Sequence, residues 1–487
     1  MAQNDMVDLM DKASEKIKKR QKQLENLPNW AFVNSRDIVH AKPDKLGREI
    51  LKTVKLMYVK NGKDLTLYRY NNNNGLWEIM TKEEIEKIVS DKIDGINAWN
   101  AKDVSDTRKY IMNKAIIKQA SETIDNVDPF KVHFKNGVYN FITNKLEPNK
   151  PDNYIFHGRN YNLDTSNTPT PLTDNWLNES VGDAKQYIME FIGYIFYRSY
   201  EKIQNFTILL AGGGNGKSTF FNWLSDAVGI DNISNVSLQD LTDNQRRFTT
   251  SRLYQKNMNY YADISKGLIN DPALLKSITG DDALDVENKG KDQRTIKPFA
   301  KLFFGANELP PFKDTSKGFG RRPMIVPFEA IEDFNERFKM QEIKKEIPAF
   351  IYKCLLAFRK ALKRGYLSET PEMIKLRNEW LGSNDIVGLF IDDYCDLNEN
   401  YNIKKVYLYD AYKGYCLENG YRAMSNQKFK QELKRFNVFD RYSKKDGKTI
   451  RIFKGIKLKP TEKEWKHGKS YSLARKKHAF DTLQRLT

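Results

Sequence analysis

One short stretch limits the possible folds more than any other. Phe206-Thr-Ile-Leu-Leu210 is an apolar run of strand length. Phe220, Phe221, Trp223, Leu224 and Val228 then recur at helical spacing until Gly229. Between the two runs stand Ala211, Gly212, Gly213, Gly214, Asn215, Gly216, Lys217, Ser218 and Thr219. Small residues at such a turn let backbone N–H groups curl inward, and the helix that follows adds the positive end of its dipole. Strand, loop and helix in this order form a cradle for phosphate. Lys217 is placed to reach β- and γ-phosphates, and Ser218 to hold Mg²⁺. Ala211 to Thr219 therefore form the candidate nucleotide-binding loop, with ATP and Mg²⁺ as its ligands. Its first position is alanine, a common replacement for glycine.

Later strands extend the same chemistry. Asn257-Met-Asn-Tyr-Tyr-Ala262 reads as a strand ending at Asp263, where a carboxylate organises Mg²⁺ and water. Only one carboxylate stands there, since Ile264 and Ser265 follow, which leaves the general base open. Leu302-Phe-Phe-Gly-Ala-Asn307 reads as a further strand, and Asn307 suits a sensor that orients the attacking water. Gly320-Arg321-Arg322 precedes the strand Met324-Ile-Val-Pro-Phe328, where an arginine could reach a neighbouring subunit's γ-phosphate. Between these strands, residues 283–294 read as a hairpin with Lys289 and Lys291 at its tip, well placed to grip a phosphate backbone. Each feature has a plainer reading: a strand-terminal aspartate, a turn asparagine before Pro310-Pro311, a surface ion pair, a solvated turn.

Charge adds a second constraint. Residues 401–487 carry 23 Lys and Arg against 8 Asp and Glu, so +15 of the formal +18 sits there. A polyanion is the expected partner, although a solubilising tail would look similar. The local pattern is more specific. Residues 406–418 form an amphipathic helix, and Ser425 can cap a second helix over 426–436. The second helix carries Lys428, Lys430, Lys434 and Arg435 on exposed positions, with Phe429, Leu433 and Phe436 inward. Two strands joined at Asp446-Gly447 follow, with Lys444 and Lys445 beside the turn. Helix, helix and hairpin in this order predict a winged helix, its second helix in a major groove and its wing along the backbone. A basic protein-docking module is the alternative.

At 487 residues the chain is too long for one core. The reading is a multidomain α/β protein. A helical arm (1–45) precedes an N-terminal α/β domain (46–175), an ATPase core (176–345), a helical linker (346–385), a winged helix (386–460) and a basic tail (461–487). Leu65-Thr-Leu-Tyr-Arg-Tyr70 and Leu76-Trp-Glu-Ile79 read as a hairpin around Asn71-Asn-Asn-Asn-Gly75, and Thr81 and Glu84 as a capping box. No apolar run approaches about 18 residues, so no membrane helix is expected. The polar N-terminus does not read as a secretory signal. Three scattered cysteines and five scattered histidines offer no disulfide framework or metal site. A reducing bacterial cytoplasm is the expected compartment.

The loop GGNGKST, the strand to Asp263 and the segments LKSITGDD, KLFFGANELPPF and GRRPMIVPF together resemble the superfamily 3 helicases, in the branch of phage and plasmid primase–helicases. FKNGVYNFITNKLEPNKPDNY and the region around Trp77 resemble the poxvirus-type domain preceding such motors, and residues 385–459 their C-terminal winged helix. In size and lysine- and asparagine-rich style the chain is similar to replication initiators (Rep) of staphylococcal pathogenicity islands. The resemblance implies an AAA+-like core and a homo-oligomeric ring, usually a hexamer. It also implies 3′ to 5′ movement on single-stranded DNA, origin duplex binding, and contact with host replication proteins. Lys217, Ser218, Asp263 and Asn307 would take the site roles above, with Arg322 ahead of Arg321 as the finger. The first 200 residues show neither the acidic cluster nor the zinc knuckle of a primase, so a helicase without priming activity is expected. An origin-binding ATPase switch and a primase–helicase are the alternatives. A small-molecule kinase would leave the basic C-terminal module without a purpose.

Overall fold

The computed structural model describes residue 14 and residues 27–459, less positions 127, 213, 215, 243–248, 266, 268, 270–271, 287–293, 313–316, 384, 420–422 and 446–447. The described residues fall into two compact units. One is drawn from 1–264, 273–308 and 326–369, the other from 265–272, 309–325 and 370–487.

The first unit begins with a correction. Composition groups residues up to 45 into a helical arm, yet β1 (Ala31–Val33) and β2 (Val39–Ala41) pair antiparallel. Asn34 makes the bend between them by accepting the Arg36 and Ile38 N–H groups on its side chain. Four strands follow: β3 (Leu56–Asn61), β4 (Asp64–Asn71), β5 (Leu76–Ile79) and β6 (Ile116–Gln119). They form a sheet in the order β5-β4-β3-β6. The β4–β5 turn is the asparagine run expected from sequence, closed by Gly75 at φ 75. Helices α1 (Pro43–Thr53), α2 (Lys82–Asp94) and α3 (Ala101–Lys114) supply Leu46, Ile50, Ile85, Val89, Ile93 and Ile111 to one core. The Thr81–Glu84 capping box opens α2 with both of its hydrogen bonds formed.

A second, three-stranded sheet of β7 (Lys131–Phe134), β8 (Gly137–Asn140) and β9 (Lys145–Glu147) leads toward the main body. There α4 (Pro171–Val181) and α5 (Lys185–Ile195) precede β10 (Phe206–Leu210) and α6 (Lys217–Val228). The remaining strands of that body are β11 (Ile233–Ser234), β12 (Met258–Tyr261), a hairpin of β13 (Leu284–Val286) and β14 (Arg294–Ile296), β15 (Lys301–Ala306) and β16 (Pro323–Pro327). Five of these strands form one sheet in the order β11-β12-β15-β10-β16. The pairs β11–β12, β12–β15 and β10–β15 are parallel. Every residue of β15 is buried, including Lys301. Its ammonium donates to the carbonyls of Tyr197, Ser199 and Phe299 and lies over the rings of Tyr194 and Tyr200. Burial still pushes its pKa well below the usual lysine value.

The second unit contains α7 (Pro371–Ser383), α8 (Ile386–Tyr394), β17 (Cys395–Lys404), α9 (Lys405–Glu418), α10 (Asn426–Leu433), β18 (Phe439–Lys445) and β19 (Lys448–Leu458). Asp385 caps α8, and Ser425 caps α10 as its sequence predicts. The sheet order is β17-β19-β18. Phe390, Leu408, Tyr412, Phe429, Leu433, Phe453 and Ile456 fill the core. The expected helix, helix and hairpin are all present. Strand β17 is an addition that DLNENYNIK, with few apolar residues, does not announce.

His133 gives the first unit a pH dependence. It is fully buried, its Nε2 lies 2.6 Å from the Asn74 carbonyl oxygen, and burial lowers its pKa to about 4. The unfolded chain binds this proton near pH 6.5 and the folded chain only near 4. The neutral ring's contribution is therefore complete above about pH 6.5 and is lost as pH falls toward 4. Urea unfolding at stepped pH is expected to show a loss of about 3 kcal/mol across that window. His133→Gln should flatten the profile there.

Candidate nucleotide site

The phosphate loop is left-handed at Gly214 and Gly216. Gly214 has φ 77 and Gly216 φ 84, backbone that side chains with a Cβ rarely adopt. A Cβ built at Gly212, Gly214 or Gly216 meets nothing within 4 Å. Gly213 and Asn215 lie outside the described residues. Gly216 caps α6, and Ser218 stands exposed in its first turn, with Thr219 half-buried beside it.

Strand order brings the site together. Because β15 lies between β10 and β12, Asn307 at its end falls between the loop after β10 and Asp263 after β12. Lys217 Nζ donates to Asn307 Oδ1 at 2.8 Å and to the carbonyls of Ala211 and Gly212 at 3.0 and 3.2 Å. Asn307 Nδ2 in turn donates to Asp263 Oδ1 at 3.3 Å. Burial lowers the Lys217 pKa, and the Asp263 charge partly opposes that shift. Asp263, Asn307 and Ser218 are exposed residues.

These groups line one side of a cavity of about 470 Å³. The other side is Trp176, Ser180, Phe328, Ile331, Phe334 and Asn335. Sequence reasoning missed this wall. Its residues come from two segments about 150 positions apart, and neither carries a local motif. The donor set fits a nucleotide triphosphate with Mg²⁺: an ammonium, a glycine loop at a helix start, a hydroxyl, one carboxylate and one amide.

The other predicted site residues lie elsewhere. Lys289 and Lys291 fall outside the described residues. The base of their hairpin is held firmly. Arg294 pairs with Asp125 at 3.0 Å and lies 3.7 Å over the Tyr254 ring, whose hydroxyl donates to Asp125 at 2.7 Å. Arg321 and Arg322 belong to the second unit. Arg321 is exposed; Arg322 is buried, and its Nε donates to the Gly318 carbonyl at 2.8 Å. The α-helix stops at Leu433 rather than at 436, and a 3-10 turn covers Lys434–Phe436; Lys428 on α10 and Lys434 on that turn are exposed. The expectation that all four basic residues stand out needs correction at Lys430, which is half-buried and paired with Asp440 at 2.6 Å. Arg435 is exposed but engages Asp385 and Glu432. Lys444 is exposed, and the Lys445 side chain is outside the described set.

Three family models match successive parts of the chain. They are D5 N terminal like over residues 48–182, Family of unknown function (DUF5906) over 209–322, and Poxvirus D5 protein-like over 382–466. A curated relative, "Putative helicase 121R" of Invertebrate iridescent virus 3, is 26% identical over 249 residues, 46% of this chain. The match spans only 25% of that relative's length. Among solved structures, the apo NrS-1 C-terminal region is 15% identical with a TM-score of 0.49, covering 85% of this chain and 99% of that one. JCV helicase is 15% identical with a TM-score of 0.22, covering 44% and 66%. This mixed α/β, multidomain chain is thus similar in part to D5-type proteins and to a protein named as a helicase. Among the described residues no helix is long and apolar enough to cross a membrane.

Gly305 tests the strand arrangement. A Cβ there would sit 2.1 Å from the Ala262 carbonyl oxygen and 3.3 Å from Lys217 Cδ. Gly305→Ala is expected to cost about 2 kcal/mol in equilibrium unfolding, because backbone must move. Gly212→Ala, in open space, should stay within about 0.5 kcal/mol.

Proposed function

We propose that this chain is an ATP-dependent DNA helicase that initiates replication of a mobile genetic element and works as a ring of identical subunits, usually six. The observation that carries the reading is the hydrogen-bonded line from Lys217 through Asn307 to Asp263 along one side of the cavity. Phosphate transfer to water needs positioning and charge stabilisation more than covalent chemistry. In this reading Lys217 leaves its loop carbonyls for the phosphate oxygens. Ser218 and Asp263 would hold Mg²⁺, which would supply charge neutralisation at those oxygens. Asn307, bonded to both neighbours, orients the attacking water. Phe334, half-buried at the cavity wall, offers a ring face to the base, and Asn335 a polar edge.

The finger assignment shifts within this reading. Arg322 is buried and bonded to its own turn, a role that holds the β16 approach in shape. Arg321 is exposed, as a side chain reaching into a neighbour's site must be. The C-terminal domain, with Lys428 exposed on α10 and Lys434 exposed on the turn after it, is proposed as a winged helix that binds origin duplex. Movement 3′ to 5′ and the likeness to staphylococcal island initiators rest on the sequence resemblance alone.

A strand-displacement assay decides the main claim. The wild-type chain should unwind a 3′-tailed duplex with ATP and Mg²⁺, and Lys217→Ala should abolish both hydrolysis and unwinding. Arg321→Ala should reduce hydrolysis about 10³-fold while leaving ATP-analogue binding within about twofold. Hydrolysis on DNA without displacement would leave an ATPase switch and refute the helicase.

Lys428 and Lys434 have a separate test. Lys428→Ala/Lys434→Ala is expected to weaken origin and random duplex alike and to reduce the slope of log affinity against log salt by about 2. An unchanged slope would show that α10 does not touch the backbone.

A further inference from the structure

The hairpin of β18 and β19 carries an aromatic residue that packing does not account for. Tyr442 is 67% exposed, although Phe453 and Ile456 on the paired strand are fully buried. The register sets Tyr442 opposite Arg451, whose guanidinium lies 5.3 Å from the ring centre. Arg441, Lys444 and Lys454 are also exposed on the two strands. Residues 439–458 hold seven Lys and Arg against two Asp and Glu. One of those carboxylates, Asp440, is already engaged by Lys405 and Lys430, which leaves it little charge for the outer part of the hairpin.

A Tyr–Arg pair across two strands steadies a hairpin modestly. That does not explain a ring mostly in water within a basic field. Lysines and arginines alone suffice to follow a phosphate backbone. An aromatic ring among them adds one capability: stacking on a base, with cation–π support from arginine. Bases inside a duplex have both faces covered by their neighbours. The ring therefore favours a base that is unpaired.

We infer that Tyr442, backed by Arg451, is a stacking site for an unpaired DNA base, so that the C-terminal domain grips single-stranded as well as duplex DNA. This rests on the DNA-binding reading of that domain. Lys428 and Lys434 serve the duplex; Tyr442 captures the strand that has come apart.

The test uses the full chain without nucleotide and two labelled probes, a blunt duplex and the same duplex with a single-stranded tail. Tyr442→Ala should weaken tailed-duplex binding at least about fivefold, the lower end for one stacked base. Blunt-duplex binding should stay within twofold. Tyr442→Phe should keep both affinities, and thermal unfolding of the variants should match wild type. A tail carrying 5-bromouracil should cross-link under ultraviolet light to the peptide that contains Tyr442. Equal weakening on both probes, or none on either, overturns the stacking site while leaving the duplex reading intact. If the wild-type chain binds no duplex, or Lys428→Ala/Lys434→Ala leaves duplex binding unchanged, the domain reading fails and the stacking site falls with it.

Discussion

The position of β15 between β10 and β12 is the constraint on which the site depends. A parallel sheet carries its strand ends to one edge, and a ligand crevice forms there. With β15 in the middle, Asn307 can accept from Lys217 on one side and donate to Asp263 on the other. The close approach requires a missing side chain. Gly305 lets the Ala262 carbonyl come within 2.1 Å of where a Cβ would stand, and the Ile264 N–H donates back to the Gly305 carbonyl. Asp263 is thus held by backbone packing at the residues on either side of it, as well as by the hydrogen bond its side chain accepts from Asn307.

The same logic extends below the site. Lys301 begins β15 and is anchored by three carbonyls and two aromatic rings. A buried ammonium is costly unless it is surrounded in this way. The strand that ends at Asn307 therefore has a rigid start. Directly before it comes the β13–β14 hairpin, whose base is clamped by Arg294, Asp125 and Tyr254. Asp125 belongs to the N-terminal part of the chain, so that part braces the hairpin proposed to hold DNA. In the second unit, Asp440 plays a comparable organising role by joining Lys405 of α9 to Lys430 of α10.

Local chemistry was legible wherever a few consecutive residues carry it. The capping box at Thr81, the turn at Gly75, the cap at Ser425 and the strand and helix on either side of the phosphate loop all follow from short patterns. Charge was legible only as a total. Lys428, Lys430, Lys434 and Arg435 read alike in sequence, yet Lys430 and Arg435 are drawn into ion pairs by Asp440, Asp385 and Glu432. Asp385 lies 50 residues along the chain from Arg435. Strand β17 was missed because its sequence is largely polar, and the β1–β2 pair because each strand is only three residues long; their hydrogen-bond partners rather than their periodicity make them strands.

The sequence by itself determined that a glycine loop joins a strand to a helix, because backbone curvature, lysine reach and helix polarity are properties of adjacent residues. It also determined that a basic module closes the chain. Only the tertiary structure decided that Asn307 stands between Lys217 and Asp263, that Trp176 and Phe334 share a wall, and that Arg321 rather than Arg322 is the exposed arginine. Those facts depend on strand order and on burial. Both are set by contacts between segments tens to more than a hundred residues apart, and no local pattern records them.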